Sequence, residues 1–343
     1  MSRRGSKLVA VSVRGAGHIR RGRPNEDFVG AEPFEPDGWV IAVSDGHGAE
    51  LHSRSNIGSR FAVEAALAEM RRINWQTDSV NSAAPLVNGL INAIIQLWRD
   101  KVEADLQHTP LDSAAAAASE AAGLGRVGPY GATLLAATAR GAQMLVLQIG
   151  DGDFFIRGDD GSIIRPLPDD PREGEETASL CMITPERHAR WRILPRPVAV
   201  LAATDGFSKS FADPSEAARA IAALLDRMAD GEDDLQTDLS ALSERGSSDD
   251  ISLAAWLLDA EQGRPASHEA ALPRPHLPWL RLILLAAAAA FAALIGIQFV
   301  GSAERNPEKP RGRPHLTEPT STGSVKKPSG GAGDGQFDRE RPK

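Results

Sequence analysis

Three apolar runs of this chain stop on the same dipeptide. Residues 39–44 lead into Asp45-Gly46, residues 144–150 into Asp151-Gly152, and residues 198–204 into Asp205-Gly206. Each run is short and rich in branched aliphatic residues, as a buried strand is, and Asp-Gly turns the chain where it ends. A carboxylate at the end of a buried strand is costly unless something compensates its charge. A chain of this kind must therefore fold so that one partner, or several, reaches these three acids. The remaining Asp-Gly pairs, at 37, 160, 230 and 334, follow polar, proline-rich or helical sequence and read as ordinary turns. Asp249-Asp250 stand just ahead of a fourth apolar run, residues 251–257, and Asn25-Glu26-Asp27 follow a basic loop.

The loop Arg20-Arg21-Gly22-Arg23 is the one basic candidate near these carboxylates, and its three cations cannot neutralise five or six acids. Hard divalent cations can, because carboxylate and carbonyl oxygens without thiolates suit magnesium or manganese. The alternative is a set of separately capped turns. His47, directly after Asp45-Gly46, is then either an acid-base group beside the site or a solvated loop histidine. His47, Glu50 and His52 lack the spacing of a zinc-binding helix face. The lone cysteine, Cys181, excludes an internal disulfide and any thiolate-rich metal site.

Further strand-like runs fall at residues 8–13, 133–138 and 154–157, beside 39–43, 144–149, 198–203 and 251–257. Helical spacing covers 52–72, 83–106, 214–228 and 235–243. Strands grouped together, with helices in two blocks, indicate an α+β fold with mainly antiparallel pairing. Residues 114–122 read as a helix or as a flexible insertion. The glycine pattern of residues 123–128 lacks the strand before it and the helix after it that a dinucleotide site needs, so it reads as a loop.

Residues 282–300 contain no charge and one polar side chain, Gln298. As a helix they would extend roughly 28 Å, about the hydrocarbon thickness of a bilayer. Trp279 and Arg281 suit the interface at its edge. Residues 261–278, with four prolines, read as a linker, and residues 301–343, with six prolines and seven glycines, as a disordered tail. Residues 301–343 carry nine basic and six acidic side chains. With Arg281 they leave the body at −12 within a net charge of −8. Such a body repels nucleic acid and attracts cations. No signal peptide is legible at the start, so the expectation is a cytoplasmic body, residues 1–260, held by one membrane helix, residues 279–300.

Six segments taken together resemble the ordered motifs of the type 2C metal-dependent serine/threonine protein phosphatases. They are Asn25-Glu26-Asp27, Val43-Ser44-Asp45-Gly46-His47-Gly48, Tyr130-Gly131-Ala132-Thr133, Ile149-Gly150-Asp151-Gly152, Ala203-Thr204-Asp205-Gly206 and Ser248-Asp249-Asp250-Ile251-Ser252. Gly17-His18 ahead of Pro24-Asn25-Glu26-Asp27 is similar to the bacterial branch of that family. The resemblance spans about residues 8–257. It implies a sandwich of two antiparallel sheets flanked by helices (α-β-β-α) with two Mn2+ or Mg2+ ions between the sheets.

By the same resemblance Asp45 bridges both metals, the Gly46 carbonyl binds one, Asp205 and Asp249 complete the ligation, and Asp27 and Glu26 act mostly through water. A metal-bridging hydroxide would attack the phosphorus of a phosphoserine or phosphothreonine on a protein substrate, and His47 would protonate the leaving oxygen. No phospho-enzyme is implied, and Cys181 lies outside any Cys-x5-Arg loop. The family's phosphate-gripping arginine would fall at Gly22, which leaves Arg21 or Arg23, with Arg21 preferred. Asp151 matches a family position for a third metal, but a frequent aspartate partner is replaced here by Lys209. The rival expectation is a catalytically inactive module that binds phosphoproteins or regulates a membrane complex.

Overall fold

A computed structural model describes residues 6–73, 80–168, 177–231 and 234–258, all within the first of the two units into which the chain divides, Met1–Ala289. The expected linker, membrane span and tail lie outside the described residues. Among the described residues no helix is long and apolar enough to cross a membrane.

Among the described residues ten strands form two antiparallel sheets. In chain order the strands are β1 (Ser6–Val13), β2 (Phe28–Phe34), β3 (Gly38–Ser44), β4 (Leu134–Arg140), β5 (Gln143–Ile149), β6 (Asp153–Arg157), β7 (Ile163–Ile164), β8 (Arg190–Pro195), β9 (Ala199–Ala203) and β10 (Ile251–Leu258). The first sheet runs β1-β10-β9-β6-β7 and the second β2-β3-β4-β5-β8. The helices are α1 (Ala16–Arg21), α2 (Ser55–Arg72), α3 (Val80–His108), α4 (Ser113–Ala121), the single turn α5 (Asp205–Ser208), α6 (Pro214–Asp230) and α7 (Leu235–Arg245).

Side-chain alternation along the strands sorts the core into three layers. Trp39, Ile41 and Val43 point between the sheets, where they meet Val200, Ala202, Ala254 and Trp256. Trp39 and Trp256 stack there at 5.1 Å, a contact worth about 0.5–1.5 kcal/mol beyond the area it buries. Val40 and Ala42 point the other way, against Phe61, Ala62 and Ala66 of α2 and Trp98 of α3. On the far side Leu201, Ala203 and Leu253 face Ile221, Leu224 and Leu225 of α6 and Leu239 of α7. Both faces of each sheet are covered, which is why the central strands read as unbroken apolar runs rather than as alternating ones. The antiparallel α+β sandwich expected from the sequence is present.

Three strands and two helices were absent from the sequence expectation: β2, β7, β8, α1 and the single turn α5. Residues 114–122 resolve to a helix, α4, started by Asp112, whose side chain accepts from the Ala115 N–H at 2.8 Å. The stretch expected as a loop winds into a short 3-10 turn, Gly125–Tyr130, with neither a strand before it nor an α-helix after it.

Candidate metal centre at the strand ends

The pairing registers bring the acidic strand ends to one edge of the sandwich. Phe28 pairs with Ser44, so Asp27, just before β2, stands across from Asp45, just after β3. Asp205 follows β9 and Asp249 precedes its neighbour β10. Asp151 rides on the turn that crosses from β5 in the second sheet to β6 in the first. Gly150 and Gly152 in that turn both have φ of 96°, a conformation that favours glycine. Gly46 serves a close approach: a Cβ there would lie 2.5 Å from the Glu26 carbonyl oxygen and 2.8 Å from that of Ser55. That contact sets the Glu26-Asp27 turn against Asp45.

Thr133 fixes the end of β3. Its Oγ1 accepts from the Asp45 N–H at 3.0 Å, and its own N–H donates to the Asp45 carbonyl at 2.8 Å. Asp250 fixes the basic loop. One carboxylate oxygen accepts from the Gly15 N–H at 2.6 Å, and the other from the Glu26 N–H at 2.6 Å and pairs with His18 Nδ1 at 2.9 Å. Asp250 is thus a buried clamp rather than a member of the open carboxylate set.

A cavity of about 310 Å3 opens at this edge, lined by Glu26, Asp45, Asp151, Asp205 and Asp249 with the Gly46 backbone. His47, Arg21, Arg23 and Lys209 stand on its walls. Asp27 does not line it. Its carboxylate is buried, accepts from Thr204 Oγ1 at 2.7 Å, and borders a second cavity of about 460 Å3 together with Asn25 and Arg60.

The electrostatics show acids forced together. Burial, then Asp27, Asp205, Asp249 and Asp151, push the Asp45 carboxyl well above the usual range. Burial and Asp250 do the same to Asp27. Burial and Asp205 raise Asp151 to about 6, and raise Asp249 as well. Burial also raises Glu26, against the opposing pull of Arg23. The His47 imidazole is held low, at about 4, by burial and then by neighbouring His52, whose ring lies 5.0 Å away. At neutral pH it therefore stands uncharged until an anion approaches.

The arginines divide. Arg23 is committed, donating to the Gly48 carbonyl at 2.6 Å and to Glu26 Oε1 at 2.7 Å. Arg21 faces the cavity and makes no hydrogen bond or ion pair among the described residues. The expectation that only the Arg20–Arg23 loop brings positive charge to the acids needs correction, because Lys209 donates to Asp205 Oδ2. Burial opposes the charge of Lys209, but Asp205, Asp151 and Asp45 outweigh burial and hold its ammonium above the ordinary value.

Two observations favour a cation in this cavity. Asp205 Oδ1 and Glu26 Oε2 are buried acceptors with no hydrogen-bond donor, although His18 Nε2 lies 3.8 Å from the latter. The donor set at the cavity is all oxygen, and neighbouring carboxylates add to burial in raising Asp45, Asp151 and Asp249, the crowding of negative charge that a hard divalent ion would relieve. As placed, no three His, Cys, Asp or Glu side chains among the described residues stand close enough to ligate a single ion.

A protein-family model described as "Protein phosphatase 2C" matches residues 14–243, which takes in every cavity residue named above except Asp249. No curated protein matches the chain in sequence. Solved structures that it resembles include the catalytic domain of the serine/threonine protein phosphatase PstP in complex with two manganese ions, at 18% identity and a TM-score of 0.48, covering 74% of this chain and 98% of that one. The Mycobacterium tuberculosis phosphatase PstP/Ppp gives 17% and 0.46, with 74% and 99% covered. Stp1 of Staphylococcus aureus gives 14% and 0.49, with 75% and 96% covered.

Proposed function

This chain belongs to the protein phosphatase 2C family, the metal-dependent serine/threonine protein phosphatases, and on that premise we propose that the cavity at the strand ends is its active site. The observation that carries the proposal is the convergence of Asp45, Asp151, Asp205 and Asp249 on one cavity with an unpartnered arginine on its wall. Asp45, the Gly46 carbonyl, Asp205 and Asp249 would hold two divalent cations, Mn2+ or Mg2+, with Glu26 acting through water and Asp27, outside the cavity, adding its charge behind Asp45. Bound there, the cations supply the nucleophilic water at neutral pH and neutralise the phosphoryl oxygens.

The chain's own groups do the rest. Arg21 receives the phosphoryl oxygens of a phosphoserine or phosphothreonine with its planar fork. Asp250 holds His18 and the Glu26 backbone, so the basic loop keeps its shape as substrate arrives. The charge of the phosphoryl group raises His47, which then gives a proton to the seryl or threonyl oxygen as it leaves. Cys181 is buried in the core on the α2–α3 side, so no thiolate takes part.

Phosphate release from a phosphothreonine peptide by the full chain with Mn2+ tests this reading. Asp45→Asn should lower the rate by more than ~100-fold, beyond the cost of removing an outer-shell partner of a metal. No activity in the unaltered chain would leave the inactive phosphoprotein-binding module, and activity that survives Asp45→Asn combined with Asp205→Asn would remove the catalytic centre from this cavity.

We also propose that residues 279–300 tether the enzyme to a membrane with its phosphatase domain in the cytoplasm. The support is the uncharged stretch 282–300 and its interfacial Trp279 and Arg281. Cell fractionation should place the chain with membranes and release it on deletion of residues 279–300. Digestion of the phosphatase domain by protease added to intact cells would contradict the orientation.

A further inference from the structure

Lys209 follows the one-turn helix α5, four residues after Asp205, and its N–H donates to the Asp205 carbonyl at 2.8 Å. This tight turn directs the ammonium back onto Asp205 Oδ2. The Asp205 carboxylate is therefore divided. One oxygen is taken by Lys209, and the other, Oδ1, is buried and has no donor. Lys209 also stands in the field of Asp151, whose Oδ2 accepts from Thr177 Oγ1 at 3.2 Å. The second partnerless acceptor, Glu26 Oε2, lies just after the basic loop, where Asp250, just ahead of β10 and beside Asp249, accepts from the Glu26 N–H. Positive charge is thus built in at Asp205, acting on Asp151 more than on Asp45, while the acceptors left without a donor are Asp205 Oδ1 and Glu26 Oε2.

We infer that the Lys209 ammonium is the resident cation of the Asp151 side, so that divalent ions bind only on the side of Asp45, Asp249 and Asp205 Oδ1. The inference rests on the metal-centre reading above. An ammonium and a divalent ion repel each other, and in a partly buried cavity that repulsion is weakly screened. The ion that would otherwise draw Asp151 and Asp205 together is excluded, and a tethered charge that cannot dissociate takes its place. Lys209 is in this sense a positioning residue. It takes Asp205 Oδ2 and leaves Oδ1 without a donor.

Manganese titration of the full chain at neutral pH, followed by the electron paramagnetic resonance signal of free Mn2+, tests this without reference to activity. Lys209→Met removes the charge and keeps most of the length of the side chain, and it should bind one more ion per chain than the unaltered protein. Lys209→Gln, with a polar head, should give the same gain if the apolar variant folds poorly. Adding Asp151→Asn to either variant should return the count to that of the unaltered chain. An unchanged count in both Lys209 variants overturns the inference alone, as does loss of an ion on Asp151→Asn in the presence of Lys209. An unaltered chain that binds no Mn2+ overturns the metal-centre reading and the inference with it.

Discussion

Arg21 and Arg23 are two residues apart and chemically identical, yet the structure gives them different tasks. Arg23 is spent on Glu26 and Gly48, while Arg21 faces the cavity unpartnered. Arg21→Ala should therefore raise the KM for a phosphopeptide and lower kcat/KM by about 10–100-fold, the scale of a lost charge-assisted hydrogen bond. Melting temperature should hardly move. Steady-state kinetics beside a thermal melt checks this, and an unchanged kcat/KM would remove Arg21 from phosphate binding. At this scale the sequence exposed the acids and His47 through their place after apolar runs, and the family resemblance singled out Arg21. Position alone could not separate Asp249 from Asp250, because adjacent identical residues carry no sign of which one faces a cavity; the family resemblance chose Asp249, the one that lines it. Nor did the sequence show that Lys209 reaches Asp205, since a four-residue spacing brings two side chains together only if the segment between is helical.

The strands that carry the site were legible because both of their faces are buried. β3, β5, β9 and β10 bury every residue or nearly so, and such runs stand out by composition alone. β2 and β8 did not stand out. β2 (Phe28–Phe34) contains Gly30, Glu32 and Pro33, residues that read as loop. It is an edge strand, where proline is tolerated. Gly30 in it is closely packed: a Cβ there would come within 2.7 Å of the Leu67 side chain on α2, which would have to shift. β8 (Arg190–Pro195) lies at the opposite edge, with Arg190 and Arg192 among its apolar residues. α1 spans six residues and no more than two turns, too few for periodicity to register. Edges and short turns answer to tertiary contacts, which local pattern does not contain.

For the molecule as a whole, the clustered acids make stability depend on pH and on cations. Asp27, Asp45, Asp151, Asp249 and Glu26 have folded pKa values above those of the unfolded chain. The folded state then binds more protons, and stability falls as pH rises from about 4 through the folded values. His47, depressed to about 4, acts in the opposite sense between about 4 and 6.5, but one imidazole stands against five carboxyls. In EDTA the chain should therefore melt at a lower temperature at pH 7.5 than at pH 5.5. Saturating Mn2+ at pH 7.5 should raise the melting temperature by several degrees, since a ligand of the folded state stabilises it. Calorimetry showing higher stability at pH 7.5 in EDTA, with no response to Mn2+, would mean that the acids are compensated in some other way. The same acids are part of the −12 of the body, which Arg281 and residues 301–343 bring to a net charge of −8.

The claim on which the rest depends is that the strand-end carboxylates are ligands of divalent cations. Anomalous diffraction at the manganese edge, from crystals of the chain grown with Mn2+, tests it most directly. Two peaks inside the cavity of about 310 Å3, within bonding distance of Asp45 and flanked by Asp205 and Asp249, are the expected result. A cavity without an anomalous peak in crystals saturated with Mn2+ would contradict the account.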